Sequence, residues 1–333
     1  MNAPIPFPRL SEAEVLRLIS SPEVSNRLAN PLGEGIQVTT LSERKGTFAV
    51  TGSQGNFIVR LACDEAHLAT LRKEARIQKG LRKWVAVRIP DTQVIDGLER
   101  IPAFAIHRLI PGEPLTSSYL SNLSPEAHQR LVQDLVQFFY ATHRIPLELA
   151  CEWLGIPFIE EETTDRLALA YGKPTWFSPQ AVAEMRPILK PHLDDTLSGL
   201  FEETVSLFEA LNISPDFMVF GHGDMHGFNM AMGADPTGAI LIGVFDLECV
   251  GILDIHEDFF RLSLVSEDLL EHVLDAYQNL PDRSCPINRD RIAIYYRAFL
   301  FYLMAEVPEK NLAHLQAMLQ KHLEYYGPIS PAP

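Results

Sequence analysis

The stretch Phe220-Gly-His-Gly-Asp-Met-His-Gly-Phe-Asn-Met230 sets Asp224 two residues after His222 and Asn229 five residues after Asp224. Further on, the apolar run Ala239–Phe245 ends in Asp246-Leu-Glu248. Phosphoryl transfer to an alcohol needs a carboxylate to orient the hydroxyl and take its proton. It also needs oxygen ligands to hold Mg²⁺ on a triphosphate, and a cation to cradle the phosphates that stay behind. Asp224 is the candidate for the first task. Asn229 and Asp246 offer hard oxygens for the second, since Mg²⁺ takes a few protein ligands beside phosphate and water. The competing reading is a polar loop that arose by chance. His222 and His226 need no chemical role on either reading, because a histidine flanking such a loop more often orients backbone.

Rigid elements must bring these side chains to one mouth. Phe217–Phe220, Met230–Met232 and Ala239–Phe245 read as short buried strands whose ends carry the polar residues. Upstream, Ser11-Glu-Ala-Glu14 before Val15 reads as a capping box that opens a short helix. Ile36–Leu41, Thr47–Val50 and Asn56–Leu61, separated by two polar Gly-containing turns, predict an antiparallel meander. Asp64 can cap a helix carrying Leu68, Leu71, Ala75 and Leu81, and two more strands follow around Thr92–Ile95 and Ala103–Leu109. Pro111-Gly-Glu-Pro114 breaks the pattern and divides a first lobe, 1–110, from a second, 111–333. Beyond it the chain reads as mostly helical. Ser124-Pro125 starts a helix bearing Leu131, Leu135, Phe138, Phe139 and His143; a second stripe runs from Leu197 to Leu211; three helices fall near Ser266–Leu280, Arg289–Glu306 and Glu309–Tyr325.

On His222-Gly-Asp224-Met-His-Gly-Phe-Asn229, then Asp246-Leu-Glu248 with Gly251, Asp254 and Asp258 at fixed spacing, the chain resembles the aminoglycoside phosphotransferase and choline kinase superfamily, distant relatives of protein kinases. Arg60, Glu74-Ala-Arg76 and Val87-Arg-Ile-Pro90 make it similar to the macrolide phosphotransferase branch. The resemblance implies an α+β, protein-kinase-like two-lobed fold. Its first lobe would be a five-stranded antiparallel sheet with a helix, its second mainly helical, with a nucleotide between. It implies Asp224 as catalytic base, Asn229 and Asp246 as Mg²⁺ ligands, and ATP or GTP as co-substrate. It also implies a basic residue on the third strand paired with a helix Glu, a place that Arg60 and Glu74 fill. Glu74 lies beside Leu71 and Ala75 on its helix, where a charge without a partner is costly, although an exposed Glu among Arg72, Lys73 and Arg76 is the alternative. The loop Ser42–Gly46 would lie over the phosphates, bringing Ser42 to the nucleotide, and Arg108 and Ile110 in the hinge would meet the purine through backbone groups. Two departures stand out: Arg60 where Lys is commoner, and His226-Gly-Phe228 where His-Pro-Gly is frequent.

Composition narrows the partners. A hydrophobic content of 47% suits a globular chain with a sizeable core. A net charge of −15 disfavours nucleic acid, which calls for clustered Lys and Arg, and is compatible with a cationic substrate or simply with solubility. No apolar run reaches membrane-spanning length, and the start Met1-Asn2-Ala3-Pro4 lacks a basic, apolar signal. The four cysteines lie far apart, which argues against a zinc site or a disulfide framework and suits reduced, cytoplasmic thiols. The acceptor is expected to be a hydroxylated small molecule: a macrolide or other amine-bearing antibiotic, or a metabolite such as choline, homoserine or a sugar. A nucleotide-binding module without catalysis is the third reading. Glu160, Glu161, Glu162 and Asp165 could meet a cationic amine or simply form a solvated helix start.

Overall fold

The computed structural model describes residues 10–43, 45–97, 102–158, 173–212, 214–281, 285–327 and 329. Helix α1 (Glu12–Ser20) opens with the capping box, the Glu14 carboxylate accepting the Ser11 N–H at 2.7 Å, and a short α2 (Pro22–Ser25) follows. Strands β1 (Gln37–Ser42), β2 (Thr47–Gly52), β3 (Gly55–Leu61), β4 (Gln93–Ile95) and β5 (Phe104–Arg108) form one antiparallel sheet in the order β1-β2-β3-β5-β4. Successive strand side chains point to opposite faces. Phe48, Val50, Phe57, Val59, Phe104 and Ile106 therefore pack with Val15 and Ile19 in a small core, while Ile58, Arg60 and His107 face the other way and line a cavity. Helix α3 (Glu65–Leu81), capped by Asp64 at 2.6 Å to His67 N–H, closes that second face through Leu68 and Leu71.

The second half is mostly helical: α4 (Ser117–Ser121), α5 (Pro125–His143), α6 (Leu147–Leu154), α7 (Pro179–Leu189), α8 (Asp195–Ala210), α9 (Ile255–Phe260), α10 (Glu267–Gln278), α11 (Arg289–Glu306) and α12 (Pro308–Tyr326). The α5 stripe Leu131, Leu135, Phe138, Phe139 and His143 is buried at helical spacing, as the sequence predicts. Helix α11 is buried nearly all round, from Arg291 to Phe301, so it runs through the core rather than over it. No helix among the described residues is long and apolar enough to cross a membrane.

Two hairpin-like pairs interrupt the helices. Strand β6 (Met218–Gly221) pairs with β9 (Gly251–Asp254), and β7 (Met230–Met232) pairs with β8 (Leu241–Val244). Strand β9 is absent from the sequence expectations, because Gly251-Ile-Leu-Asp254 is too short and too mixed to show a period. The expected strand Phe217–Phe220 is shifted by one residue, since Pro215–Phe217 form a tight 3₁₀ turn first. Chain from outside the β7–β8 pair flanks that pair on both sides. Arg88 N–H donates to Ile242 O and Val244 N–H to Arg88 O, both at 3.0 Å, while Glu113 and Met232 exchange backbone bonds at 3.0 and 2.7 Å.

Candidate active site

The loop after β6 is held by its backbone. Gly223 has a φ of +71°, and its N–H donates to Asp258 Oδ1 at 2.7 Å. Asp258 is fully buried, and its Oδ2 takes a hydrogen bond from His143 Nε2 at 3.0 Å. Burial pushes its carboxyl up, yet the His143 bond and the Gly223 N–H outweigh that and hold its pKa below the usual carboxylate range. The Asp224 N–H donates to His222 Nδ1 at 3.2 Å, which makes Nδ1 the acceptor and puts the ring proton on Nε2. That proton serves Phe245 O at 3.2 Å, and burial lowers the His222 pKa, so the ring stays neutral. His222 is thus a backbone brace linking the loop to the segment after β8. Gly227 explains the departure from His-Pro-Gly: a Cβ there would sit 1.9 Å from Leu115 O, while Leu115 N–H donates to Gly227 O.

This bracing presents the Asp224 side chain, which keeps 24% exposure. The Asn229 amide donates from Nδ2 to Asp224 O at 2.9 Å and to Asp224 Oδ2 at 3.1 Å. With its nitrogen committed, Asn229 has its amide oxygen left to offer a cation. His226 Nε2 lies 3.5 Å from Asp224 Oδ2, and Arg261 Nη1 lies 3.6 Å from Oδ1. Burial raises the Asp224 pKa, but His226 and Arg261 together bring it below the ordinary value, so the group is a carboxylate at neutral pH. The second acidic loop is tied to the first, since Phe245 N–H donates to Asn229 O at 3.1 Å. Next to it Asp246 adopts a φ of +57°, alone among the described non-glycine residues in the left-handed region. Such a conformation costs of order 1–3 kcal/mol and persists only where the surroundings enforce it. Lys45 Nζ stands 3.9 Å from Asp246 Oδ2 and 3.8 Å from Glu248 Oε2.

Between sheet and second half lies a cavity of about 700 Å³. Ser42, Arg60, Glu74, Ile110 and Asp246, five of the residues singled out in the sequence, line it. Arg60 Nη1 bonds Glu74 Oε2 at 2.6 Å with both side chains nearly buried, so the exposed-Glu alternative does not hold. Burial drives the Glu74 pKa up by more than Arg60 draws it down. Gln78 also donates to Glu74 Oε1 at 3.1 Å, and Arg60 Nη2 reaches within 3.8 Å of Glu248. Arg108 turns its side chain away from the cavity, onto Gln54 O at 3.0 Å and over the Phe57 ring. Its carbonyl already pairs with His107 Nδ1 at 2.9 Å, and Arg108, unlike Ile110, is not among the residues that line the cavity. Arg44 of the loop between β1 and β2, and Glu160, Glu161, Glu162 and Asp165, lie outside the described residues.

A second cavity of about 360 Å³ opens beside the loop, lined by Gly223, Cys249, Trp176, Glu257 and Arg261 among others. Sequence reasoning missed Arg261 and Glu257. No helix is expected at 255–260 from the sequence, so no period ties Arg261 to this loop, and its approach to Asp224 shows only in the fold. The arrangement therefore offers a carboxylate beside one cavity, hard oxygens from Asn229 and Asp246, and a cation pinned by a buried acid in the other cavity.

The model of the phosphotransferase enzyme family, APH, matches residues 41–295. The chain belongs to that family. It is a small-molecule phosphotransferase with a kinase-like fold. Among solved structures, this phosphotransferase is similar to wild-type aminoglycoside 2'-phosphotransferase-IIIa in its GDP complex, at a TM-score of 0.67 and 14% identity over 95% of this chain and 99% of that one. It is also similar to macrolide 2'-phosphotransferase type I (TM-score 0.61, 16% identity, 94% and 99% covered). A third likeness is to the macrolide 2'-phosphotransferase MphH from Brachybacterium faecium (TM-score 0.57, 16% identity, 92% and 98% covered). A search of curated protein sequences gave no match.

Proposed function

We propose that this phosphotransferase moves the γ-phosphoryl group of ATP or GTP to a hydroxyl of a small molecule, with residues 1–110 as the nucleotide lobe and 111–333 as the lobe that carries catalysis and the acceptor. The observation that carries the reading is Asp224 itself: an ionised, part-exposed carboxylate held by Asn229 and by a backbone braced through His222 and Asp258. In this reading Asp224 orients the acceptor hydroxyl and receives its proton as the new O–P bond forms. Arg60, fixed by Glu74, draws the non-transferred phosphates, and Lys45 supplements it from the loop above. Asn229 and Asp246 would hold Mg²⁺; their donor set of one amide oxygen and one carboxylate suits an ion that keeps water and phosphate as its other ligands. When bound, Mg²⁺ neutralises charge on the triphosphate. The hinge backbone near Arg108 and Ile110 would meet the purine. Solved relatives in complex with GDP, or with ATP and streptomycin, support a nucleotide co-substrate and a hydroxylated acceptor.

The test is Asp224→Asn. Turnover is expected to fall by about 10²–10⁴, with nucleotide affinity by calorimetry nearly unchanged. A variant that keeps more than about a tenth of wild-type turnover removes Asp224 from the role of base.

A further inference from the structure

The wall of the second cavity has a charge that does not suit every hydroxylated acceptor. Arg261 is 7% exposed, packed with its guanidinium 3.7 Å from the Phe299 ring centroid and 4.7 Å from that of Phe260. Its Nε has no hydrogen-bond partner among the described residues, and its ion pair with Asp224 spans 3.6 Å, longer than a hydrogen bond. A guanidinium has five N–H donors, and no hydrogen bond from this side chain to a described residue accompanies the long Asp224 pair. Nε is closed to solvent, so the Nη groups are the donors through which Arg261, lining the cavity, can meet an anion. Lys73 and Lys173 line the same cavity, and Lys173 spends one N–H on Glu209 O at 2.7 Å. Among the described lining residues Glu257 is the sole acid, and burial pushes its carboxyl up to about 8, so it is mostly neutral at pH 7. The remaining wall, with Trp176 and Leu154, is largely apolar.

We propose that the acceptor is an alcohol bearing an acidic group on a partly apolar body, its acidic group held by Arg261 with Lys173 and Lys73 and its hydroxyl directed at Asp224. This deepens the phosphotransferase reading and rests on it. The net charge of −15 belongs to the whole chain; the described lining of the cavity is locally cationic. In the step, the acceptor oxygen forms a bond to the γ-phosphorus of the nucleotide and the bond to the β–γ bridging oxygen breaks. The electron pair leaves on the nucleoside diphosphate, and the hydroxyl proton passes to Asp224.

Three matched probes separate charge from shape: para-(hydroxymethyl)benzoate, its methyl ester and para-(hydroxymethyl)benzylamine. Each is offered to the full chain with Mg²⁺ and γ-labelled ATP, and both labelled product and the background hydrolysis of ATP by water are measured. The benzoate is expected to exceed the benzylamine in kcat/KM by about tenfold or more, equivalent to ~1.4 kcal/mol. Arg261→Gln and Lys173→Glu are expected to shrink that ratio, which a loss of folded protein would leave unchanged because it lowers both rates alike. The benzylamine matching or beating the benzoate overturns the proposal. So does background hydrolysis that neither probe diverts or inhibits. Absence of both hydrolysis and nucleotide binding would instead remove the phosphotransferase reading beneath it.

Discussion

Replacing Arg60 by Ala leaves Glu74 in place with its main partner gone. Two unit charges about 4 Å apart at an effective dielectric near 20 attract by roughly 4 kcal/mol before desolvation is counted. The Arg60 side chain keeps 13% exposure, so solvent offsets part of that, and a coupling of about 2–3 kcal/mol is expected, inside the usual range for contacting residues. The pH dependence follows from Glu74. Its folded pKa already lies above the ordinary 4.5 because burial outweighs Arg60. Removing Arg60 leaves burial less opposed, so the folded pKa rises further. A carboxyl with a raised folded pKa gives stability that is fully present below its unfolded pKa and is lost as pH climbs to the folded one. The deficit of Arg60→Ala is therefore small near pH 4 and larger at pH 8. Urea unfolding of wild type, Arg60→Ala, Glu74→Gln and the double variant at both pH values measures this. Additivity within about 0.5 kcal/mol at pH 8, or a deficit that shrinks as pH rises, would refute the reasoning.

Asp246→Ala is expected to abolish Mg²⁺-dependent binding of a non-hydrolysable triphosphate while Glu248→Ala weakens it less, as calorimetry can show. Asp246→Gly should remove the same binding yet raise the melting temperature slightly, because glycine relieves a φ of +57° by up to about 1 kcal/mol. Asp258→Asn should cost about 2–4 kcal/mol of stability and lower kcat, since it weakens the grip on Gly223 and leaves His143 with a neutral partner. Glu257→Gln should flatten the loss of stability between pH 5 and 8: the folded pKa of about 8 means that wild type loses stability as pH rises through that window, and a glutamine has no proton to lose.

The five-stranded sheet was legible because its strands alternate: Phe57-Ile-Val-Arg-Leu61 names both its core face and the cavity face that bears Arg60. Glu74 was legible for a related reason, a charge on an apolar helix face that needs a partner. Asp224, Asn229 and Asp246 were singled out by type and spacing, and the fold brings Asn229 onto Asp224 and sets Asp246 in the wall of the larger cavity. Other features came from tertiary packing, which no local period encodes. The turn of Arg108 onto Gln54 depends on the hairpin beside it. Arg261 reaches Asp224 across 37 positions of sequence, and Trp176 joins its cavity from a different element. Asp258 was recognised by its place in a pattern, but its work, gripping the Gly223 N–H, shows only once β6 and α9 lie together.

The bonds from Arg88 and Glu113 to either side of β7 and β8 have a mechanical meaning. They rivet the strands next to Asn229 and Asp246 to the two stretches of chain that precede β4 and follow β5 of the N-terminal sheet. Under the proposed reading, a tilt of the sheet to admit or release a nucleotide would leave the floor beneath it anchored at the axle. The roof, with Lys45 and Ser42 at its free end, would sweep through the larger arc, so such an opening would move Lys45 far more than it changes the spacing of Asn229 and Asp246. Amides of Met232 and Val244 should accordingly exchange with solvent only on wholesale unfolding, while those of the loop above β1 and β2 exchange with each opening.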